Sequence, residues 1–346
     1  MGEGGNHISP LDFPQVWQRP PYDDLIACLK KLYVQPPIWN PSTSKRVILE
    51  DHENNARFRK EVATYLASII KSDLRWIDDD EEKEAIWDEA SRRLSERCGR
   101  AGMGEITRRW PFASEAHPSF ELIVREPPIT GDALGLKTWG SSYFLAQLLH
   151  RIAAQSLAQL LGEPDSSLQV LELGSGTGLC GMAAAAIWKT RVCLSDLPNI
   201  VPNLTHNIET NRKAIESLGG TVEAGALTWG SPEDDEEIFV EKNQFKIILI
   251  ADPLYDDDHP ALLASAVNDH VSHDEEARVV VMVPLRDKTT RRLLSELRGN
   301  LAEGERPLVC LEEHALMGQD DWGEDHDEET SQVECWWGIL GRNASR

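Results

Sequence analysis

Two continuous apolar runs constrain the fold of this chain more than any other feature of its sequence. FKIILI at 245–250 and RVVVMV at 278–283 lack the alternation of apolar and polar residues that a half-exposed strand shows. Strands of this kind are buried on both faces, which is typical of a parallel sheet with helices on either side. We therefore predict an α/β fold with a doubly wound, Rossmann-like sheet.

Seven strands are predicted in the C-terminal part of the chain, separated by helical segments. They lie near residues 168–173, 191–195, 221–226, 245–251, 278–283, 307–312 and 333–340. Ligands of doubly wound sheets bind at the carboxyl ends of the strands, where the strand order reverses. Functional residues are therefore expected directly after these strands.

The N-terminal part of the chain predicts a mainly helical accessory region. Residues 1–45 are rich in proline and turn formers, and apolar residues recur at helical spacing between 55 and 104. The recurring residues are Phe58, Val62, Tyr65, Leu66, Ile69, Ile86, Trp87, Ala90, Leu94 and Cys98. The pattern changes to β-prone runs at FELIVRE, so we predict an accessory region at 1–118 and the α/β domain at 119–346.

The chain is strongly acidic, with 35 Lys and Arg against 58 Asp and Glu and a net charge of −23. This opposes direct binding to nucleic acid, because affinity for phosphate backbones comes largely from Lys and Arg. Acidic runs at 78–84, 233–237 and 320–329 are usually solvated surface, and a basic partner is the alternative.

Composition also bounds the location of the protein and its metal chemistry. No stretch approaches the roughly 20 apolar residues of a membrane span, and the N-terminus lacks a secretory pattern, so we expect a cytoplasmic protein without a membrane partner. The six cysteines do not have metal-finger spacing, so we expect reduced thiols and no metal.

Three glycines follow the first predicted strand at every second position, in the segment LQVLELGSGTGLCG at 168–181. A side chain at Gly174 or Gly176 would occupy the place of a ligand that lies against the backbone. The dinucleotide pattern GxGxxG has a different spacing, and a glycine-rich turn without a ligand is the alternative. Glu172, just before the loop, suits a ligand with an ammonium and a sulfonium better than one with two phosphates.

Acidic and aromatic residues follow the next predicted strands. Asp196 lies near the position at which an acidic side chain accepts ribose hydroxyls, and it could also cap the following helix. Trp229 either flanks an adenine or belongs to the core. Ala251, Asp252 and Tyr255 follow the strongest apolar run, where reacting groups are expected, although Asp252 could simply belong to an Asp-Pro turn.

Several motifs together resemble the seven-strand, S-adenosylmethionine-dependent protein-lysine methyltransferases often called methyltransferase family 16. The resemblance covers roughly 119–346 and rests on GLKTWGSSYFLAQLL (135–149), VLELGSGTGLCGMAA (170–184), SDLPNIVPNLTHNIETN (195–211), LTWG (227–230) and ADPLYDDDHP (251–260).

Further segments are similar to the fungal branch of this family that methylates translation elongation factors 2 and 3. They are IWDEASRRLSERCGRAG (86–102), ELIVREPPITGDALGLKTWG (121–140), DDWG (320–323) and CWWGILGR (335–342). The combination of TWG, SDLP and DPLY is much more specific than the glycine-rich motif alone.

The resemblance implies a cofactor, S-adenosyl-L-methionine, and a role for each site residue. Trp139 would cover the methionine end of the cofactor, with the loop of Gly174, Ser175 and Gly176 beneath it. Asp196 would hold the ribose. The adenine would lie between Trp229 and Ala251.

The resemblance further implies that Asp252 and Tyr255, which match the family's DxxY, face the incoming lysine. Many relatives have Asp where this chain has Thr228, so a carboxylate contact to the adenine is lost here or replaced by a hydroxyl. The implied partner is a protein substrate, a translation elongation factor. The competing readings are a methyltransferase for small molecules or nucleic acid, and a catalytically silent adaptor that binds the cofactor.

Overall fold

The computed structural model describes residues 13–32, 60–95, 105–128, 134–161, 169–231, 235–303, 305–319 and 332–342. The chain divides into two compact units, Met1–Ile106 and Thr107–Arg346. Phe58, Cys98 and the DDWG segment at 320–323 lie outside the described residues.

The described part of the first unit is helical, as predicted. Its helices are α1 (Tyr22–Lys31), α2 (60–70) and α3 (Asp80–Ser95). One apolar core holds them together, because the residues at helical spacing turn to a common side. Its fully buried side chains include Leu25, Leu29, Val62, Leu66, Ile69 and Ile86.

The second unit opens with a β-hairpin that the sequence analysis did not separate from the helical region. Its strands are β1 (Ile106–Ser114) and β2 (His117–Glu126). Burial alternates along β1, so Trp110 and Phe112 share the inner face, and their rings lie 4.8 and 5.8 Å from the ring of Tyr143. The predicted boundary at 118/119 falls inside β2, whereas the compact units divide after Ile106, the first residue of β1.

The seven predicted strands are confirmed and form one sheet in the order β5-β4-β3-β6-β7-β9-β8. They are β3 (Gln169–Leu173), β4 (Arg191–Asp196), β5 (Thr221–Ala226), β6 (Ile247–Ala251), β7 (Arg278–Pro284), β8 (Val309–Gln319) and β9 (Gln332–Gly341). The first five in chain order run parallel, and β9 pairs antiparallel with both β7 and β8. This is the α/β, doubly wound arrangement that the apolar runs predict.

Helices connect the strands. They are α4 (Gly140–Ala154), α5 (Ala158–Leu161), α6 (Leu179–Trp188), α7 (Val201–Ser217), α8 (Glu237–Val240), α9 (His259–His270) and α10 (Lys288–Ala302). The strand order reverses between β3 and β6, because the chain winds outward through β4 and β5 and then returns to the other side of β3. The carboxyl ends of these two strands therefore mark the place where a ligand is expected.

None of the helices within the described segments is long and apolar enough to cross a membrane. Within the same segments, no group of three His, Cys, Asp or Glu side chains is arranged to hold a metal ion.

Candidate functional site

The loop between β3 and α6 follows a path that only glycine adopts easily. Gly174, Gly176 and Gly178 have φ angles of 66°, 56° and 84°, in the left-handed region that a Cβ atom disfavours. A Cβ atom on Gly176 would also lie 3.1 Å from the carbonyl oxygen of Gly135. The alternating glycines are therefore required by the backbone itself, and they leave bare backbone at the carboxyl end of β3.

Hydrogen bonds join this loop to the end of β4. Ser175 donates its backbone N–H to the carbonyl of Ser195 at 2.9 Å, and Ser195 donates its own N–H to Ser175 Oγ at 3.1 Å. The hydroxyl of Ser195 donates to the carbonyl of Glu172 at 2.8 Å. The loop is thus ordered by the protein's own contacts, and Ser175 takes part through a buried side chain.

Asp196 reaches the same loop from the end of β4. Its Oδ2 accepts the N–H of Gly176 at 2.7 Å, and its Oδ1 accepts the N–H of Leu197 at 2.8 Å. Burial raises the pKa of Asp196 to about 6, against the opposing effect of these two hydrogen bonds. The structure therefore brings two predicted site residues, Gly176 and Asp196, into direct contact.

Glu172 has a different environment from the one that its position before the loop suggests. Its side chain is only 2% exposed, and Oε2 accepts the N–H of Gly181 in α6 at 3.1 Å. Burial raises the pKa of Glu172 to about 8. The carboxyl group thus lies against the first turn of α6 and is hydrogen-bonded within the protein.

Trp229 follows β5 and lies against the glycine-rich loop. A Cβ atom on Gly174 would be 3.1 Å from Trp229 Cζ2. The Trp229 ring is partly buried against the hydrophobic core, so the two sequence interpretations, a core aromatic and a ring beside the ligand, are compatible.

An aromatic row extends from Trp229. The ring of His259 lies 5.7 Å from it, and the ring of Tyr255 lies 4.2 Å beyond, both in edge-to-face geometry. His259 is fixed by a hydrogen bond of 2.8 Å between Nδ1 and the carbonyl of Pro253. Sequence reasoning missed His259, although its position four residues after Tyr255 at the start of α9 was a usable signal.

Thr228 contributes a buried hydroxyl. Its backbone N–H donates to Asp235 Oδ1 at 3.2 Å, whereas its Oγ1 has no hydrogen-bond partner within the described segments. A buried hydroxyl without a partner is uncommon in a folded protein. Ala251 is the last residue of β6, at the carboxyl edge of the sheet, and is half-buried.

Asp252 is paired with a residue that the sequence analysis did not identify. Arg286 donates from Nη1 to Asp252 Oδ1 at 2.8 Å and from Nη2 to Oδ2 at 2.6 Å. The Asp252 side chain is 7% exposed, and its φ angle is 56°, a left-handed conformation that is uncommon for a residue other than glycine. The carboxylate is therefore held in a bidentate ion pair within the protein.

Trp139 lies between two cationic groups. Lys137 Nζ is 4.5 Å from the centroid of the Trp139 ring, and the guanidinium carbon of Arg286 is 5.9 Å from it. The indole N–H donates to the carbonyl of Leu134 at 3.2 Å. Arg286 thus connects Trp139 with Asp252, two predicted site residues far apart in the sequence.

The turn before Trp139 is also attached to the glycine-rich loop. The hydroxyls of Thr138 and Thr177 form a hydrogen bond of 2.7 Å, and the N–H of Thr138 donates to Glu126 Oε1 at 3.3 Å. Because Glu126 ends β2, the hairpin takes part in holding this turn.

Tyr255 is the exposed member of the set, with 58% of its surface accessible. Partial burial raises the pKa of its phenol, and the carboxylates of Asp196, Asp256 and Asp252 raise it further. Asp196 ends β4, and Asp252 and Asp256 follow β6, so the phenol lies near the carboxyl edge of the sheet. The arrangement can bind one ligand through the bare backbone of the glycine-rich loop, the carboxylate of Asp196 and the aromatic rings. The entrance beside Tyr255, which we call the mouth, could admit a second ligand.

Comparisons with known proteins find similar lysine methyltransferases. A family model described as lysine methyltransferase matches residues 118–300, more than half of the chain. Protein-lysine N-methyltransferase EFM2 of Saccharomyces cerevisiae is 33% identical over 246 residues, which cover 68% of this chain and 56% of that protein. Protein-lysine N-methyltransferase rrg1 of Schizosaccharomyces pombe is 28% identical over 283 residues, which cover 81% and 84%.

The chain thus spans just over half the length of the first of these relatives and most of the second. Among solved structures, P. horikoshii TYW2 in complex with MeSAdo aligns with 73% of this chain and 84% of that chain, at 12% identity and a TM-score of 0.38.

Proposed function

The chain belongs to the lysine methyltransferase family, and we propose that it transfers the methyl group of S-adenosyl-L-methionine to a lysine side chain of a translation elongation factor. The proposal is carried by one observation: the bare glycine-rich loop, Asp196 and the mouth formed by residues 252–255 all follow strands at the same edge of the sheet. The loop and Asp196 are in direct contact through Gly176.

The residues at the strand ends fit this cofactor. The glycines give the loop a backbone without side chains, and Asp196 lies beside it to accept ribose hydroxyls. Trp229 supplies a flat ring for the adenine, and the hydroxyl of Thr228, which lacks a hydrogen-bond partner within the described segments, supplies a polar atom beside it. Trp139 would cover the methionine end, as the resemblance implies.

When bound, S-adenosylmethionine supplies a methyl group on a positively charged sulfur, and the neutral amine of lysine forms the new N–C bond as the C–S bond breaks. The protein's contribution is alignment of the two groups and exclusion of water. A lysine amine with a pKa of about 10.4 arrives protonated at neutral pH and has to lose its proton before it attacks. Tyr255, exposed at the mouth, would orient the amine while the proton passes to water.

Asp252 keeps in this scheme the orienting role that the resemblance implies. Because both of its carboxylate oxygens accept hydrogen bonds from Arg286, Asp252 serves as part of a fixed wall of the mouth. We therefore assign it to orienting the amine and not to removing the proton.

The elongation factor as substrate is supported by the similarity of the upstream and C-terminal segments to the fungal branch of the family. The net charge of −23 adds a physical reason. A strongly acidic enzyme is attracted to a basic surface on a large folded protein, through a field that salt screens over about 8 Å under physiological conditions. Recognition therefore extends beyond the sequence around the modified lysine.

The test compares intact elongation factors 2 and 3, purified and unmodified, with a short peptide around the modified lysine. Each is incubated with S-adenosylmethionine labelled in its methyl group, at low and at raised salt, and the labelled peptide is identified by mass spectrometry. We expect labelling of lysine in an intact factor, with a rate that falls as salt rises. Equal, salt-independent activity on the peptide would contradict recognition of a folded surface.

A parallel incubation with a cytosolic lysate, with and without ribonuclease, separates the competing functions. Label that disappears with ribonuclease would identify a nucleic-acid methyltransferase, and label in small molecules would identify a metabolic enzyme. Cofactor binding without any transfer would identify an adaptor.

A further inference from the structure

Arg286 occupies a fixed position between a strand and a helix. It follows the end of β7 by two residues and precedes Asp287, the N-cap of α10. Asp287 Oδ1 accepts both the N–H and the hydroxyl of Thr290, at 2.7 and 2.8 Å. Because the cap fixes the backbone on one side and the sheet fixes it on the other, the Arg286 side chain starts from a rigid base.

Two walls of the candidate site meet at this guanidinium. On one side it forms the bidentate pair with Asp252, and on the other it lies 5.9 Å from the centroid of the Trp139 ring. A guanidinium can do both at once, because its planar fork matches a carboxylate while its face suits an aromatic ring. Lysine in the same place would offer a point charge without this geometry.

The pair also holds a strained residue. Asp252 has a φ angle of 56° and a nearly buried side chain, and its backbone N–H donates to the carbonyl of Met282 at 2.9 Å. A left-handed residue other than glycine persists only where its surroundings fix it. A carboxylate that loses its partner in such a place would be left charged and poorly solvated, so the segment from Asp252 to Tyr255 depends on Arg286 for its direction.

We propose that Arg286 is a positioning residue for methyl transfer, which holds Asp252 in its left-handed conformation and sets the 252–255 segment against Trp139. The proposal rests on the proposed function, because it assigns to Arg286 the alignment of the mouth that receives the lysine amine. The ion pair is neutral overall, so it adds no net charge that would attract a second cation to the mouth. It orients the amine by fixing the 252–255 segment. Arg286 acts through Asp252 and needs no contact with the cofactor.

The experiment uses the full chain and the variants Arg286→Met, Arg286→Lys, Asp252→Asn and the double variant Arg286→Met/Asp252→Asn. Transfer from methyl-labelled S-adenosylmethionine to purified elongation factors 2 and 3 gives kcat and KM, and calorimetry gives the Kd of the cofactor. The matched control is Arg292→Met, because Arg292 is an exposed arginine that pairs with Asp257 of the neighbouring loop at 2.6 Å. Thermal melting is followed for every variant.

We expect Arg286→Met to lower kcat at least about tenfold while the Kd of the cofactor changes less than about threefold, since alignment is expressed mainly in the transition state. Arg286→Lys should recover part of the loss, and Arg292→Met should match the wild type. The double variant should lose no more than Asp252→Asn alone, because residues that act as a unit are not additive.

Three results would overturn this role. They are a kcat of Arg286→Met within about twofold of the wild type, a parallel loss of cofactor affinity, and a double variant whose losses multiply. If Arg286→Met does not fold, Arg286→Lys decides, and a wild-type kcat for that variant overturns the role. A wild-type protein that binds cofactor but labels neither factor overturns the proposed function and this role with it, whereas an active wild type with an active Arg286→Met overturns the role alone.

Discussion

Tyr255 is the one exposed side chain among the residues assigned to the site. Its ring rests against His259, which in turn contacts Trp229, so Tyr255 is connected by edge-to-face contacts to the ring that lies beside the glycine-rich loop. Exposure suits a residue that meets a large substrate, whereas Trp229 and Asp196 lie deeper and suit the cofactor. The two roles can therefore be separated by substitution.

We expect Tyr255→Ala to keep cofactor binding within about threefold of the wild type while kcat falls at least about tenfold, because alignment of the amine contributes chiefly in the transition state. Calorimetry and the transfer assay measure the two quantities. Tyr255→Phe serves as the matched variant, since it keeps the ring against His259 and removes only the hydroxyl. Equal losses of binding and rate would instead place Tyr255 in the cofactor pocket.

The buried carboxyl of Glu172 predicts a pH dependence of stability. Its folded pKa of about 8 lies above the ordinary value of 4.5, so between these values the folded protein binds a proton that the unfolded chain has released. The free energy of unfolding therefore falls as pH rises, by at most about 1.4 kcal/mol per pH unit, and levels off above the folded pKa.

Glu172→Gln should remove this slope, because the amide keeps the shape of the protonated carboxyl and does not titrate. Urea unfolding between pH 6.5 and 8 is the measurement, since Asp196, with a pKa of about 6, contributes mainly below this interval. We expect the variant to be the more stable protein at pH 8. An unchanged slope would show that Glu172 is ionised in the folded protein.

At the scale of elements, α7 binds the hairpin through asparagine side chains. Asn203, Asn207 and Asn211 recur every four residues and are all buried. Asn211 Oδ1 accepts the N–H of Ile123 at 2.8 Å, and its Nδ2 donates to the carbonyl of the same residue at 2.7 Å. The Asn211 amide thereby makes the two hydrogen bonds that a neighbouring strand would otherwise make with Ile123 at the edge of β2.

The asparagine face also reaches the glycine-rich loop. Asn207 Oδ1 accepts the N–H of Arg125 at 2.8 Å, and its Nδ2 donates to the carbonyl of Thr177 at 3.0 Å. Together with the Thr138–Thr177 hydrogen bond, this contact links hairpin, α7 and loop. The hairpin therefore contributes to the order of the candidate site although it lies outside the main sheet.

Asn211→Leu should lower the free energy of unfolding by about 2 kcal/mol or more, because it leaves a buried N–H and a buried carbonyl of Ile123 without partners. Chemical denaturation measures the change. The control is Thr205→Ala, since Thr205 lies on the exposed side of the same helix and its replacement should stay within about 0.5 kcal/mol. A loss no larger than the control's would mean that the hairpin does not depend on this amide.

At the scale of the whole molecule, the position of the hairpin decides where the catalytic unit begins. A fragment of 119–346 would remove β1, and with it Trp110 and Phe112, which are 3% and 2% exposed. Their removal exposes the apolar surface that they cover, including the ring of Tyr143, which costs several kcal/mol by area. A fragment that starts at 105 keeps both strands.

We expect residues 105–346 to bind cofactor with a Kd within about twofold of the full chain and to methylate intact elongation factor poorly, if the first unit supplies part of the docking surface. Residues 119–346 should melt at lower temperature and bind cofactor weakly. Calorimetry, thermal melting and the transfer assay at two salt concentrations are the measurements. Full activity of 105–346 on the intact factor would remove the first unit from substrate recognition.

The sequence by itself determined the sheet and the ligand loop. Six of the seven strands lie within about two residues of their predicted bounds, because continuous apolar runs bounded by turn formers have few other solutions. The remaining strand, β8, was predicted at 307–312 and continues to Gln319. The glycine spacing likewise predicted a loop of bare backbone directly after the first strand, and the sequence placed Asp196 at the end of the next strand. These features are local, or depend on strands that are neighbours both in sequence and in space. The left-handed conformation of the glycines and the contact of Asp196 with Gly176 became evident only in the structure.

Only the tertiary structure decided the features that depend on partners distant in sequence. The carboxyl of Glu172 accepts a hydrogen bond from α6. Asp252 forms an ion pair with Arg286, which follows the adjacent strand β7. The hairpin joined the second unit, because its apolar face is covered by Tyr143 and its edge by the asparagines of α7. A buried polar group takes the partner that the folded chain brings within hydrogen-bonding distance, and the spacing of residues along the sequence does not encode that distance.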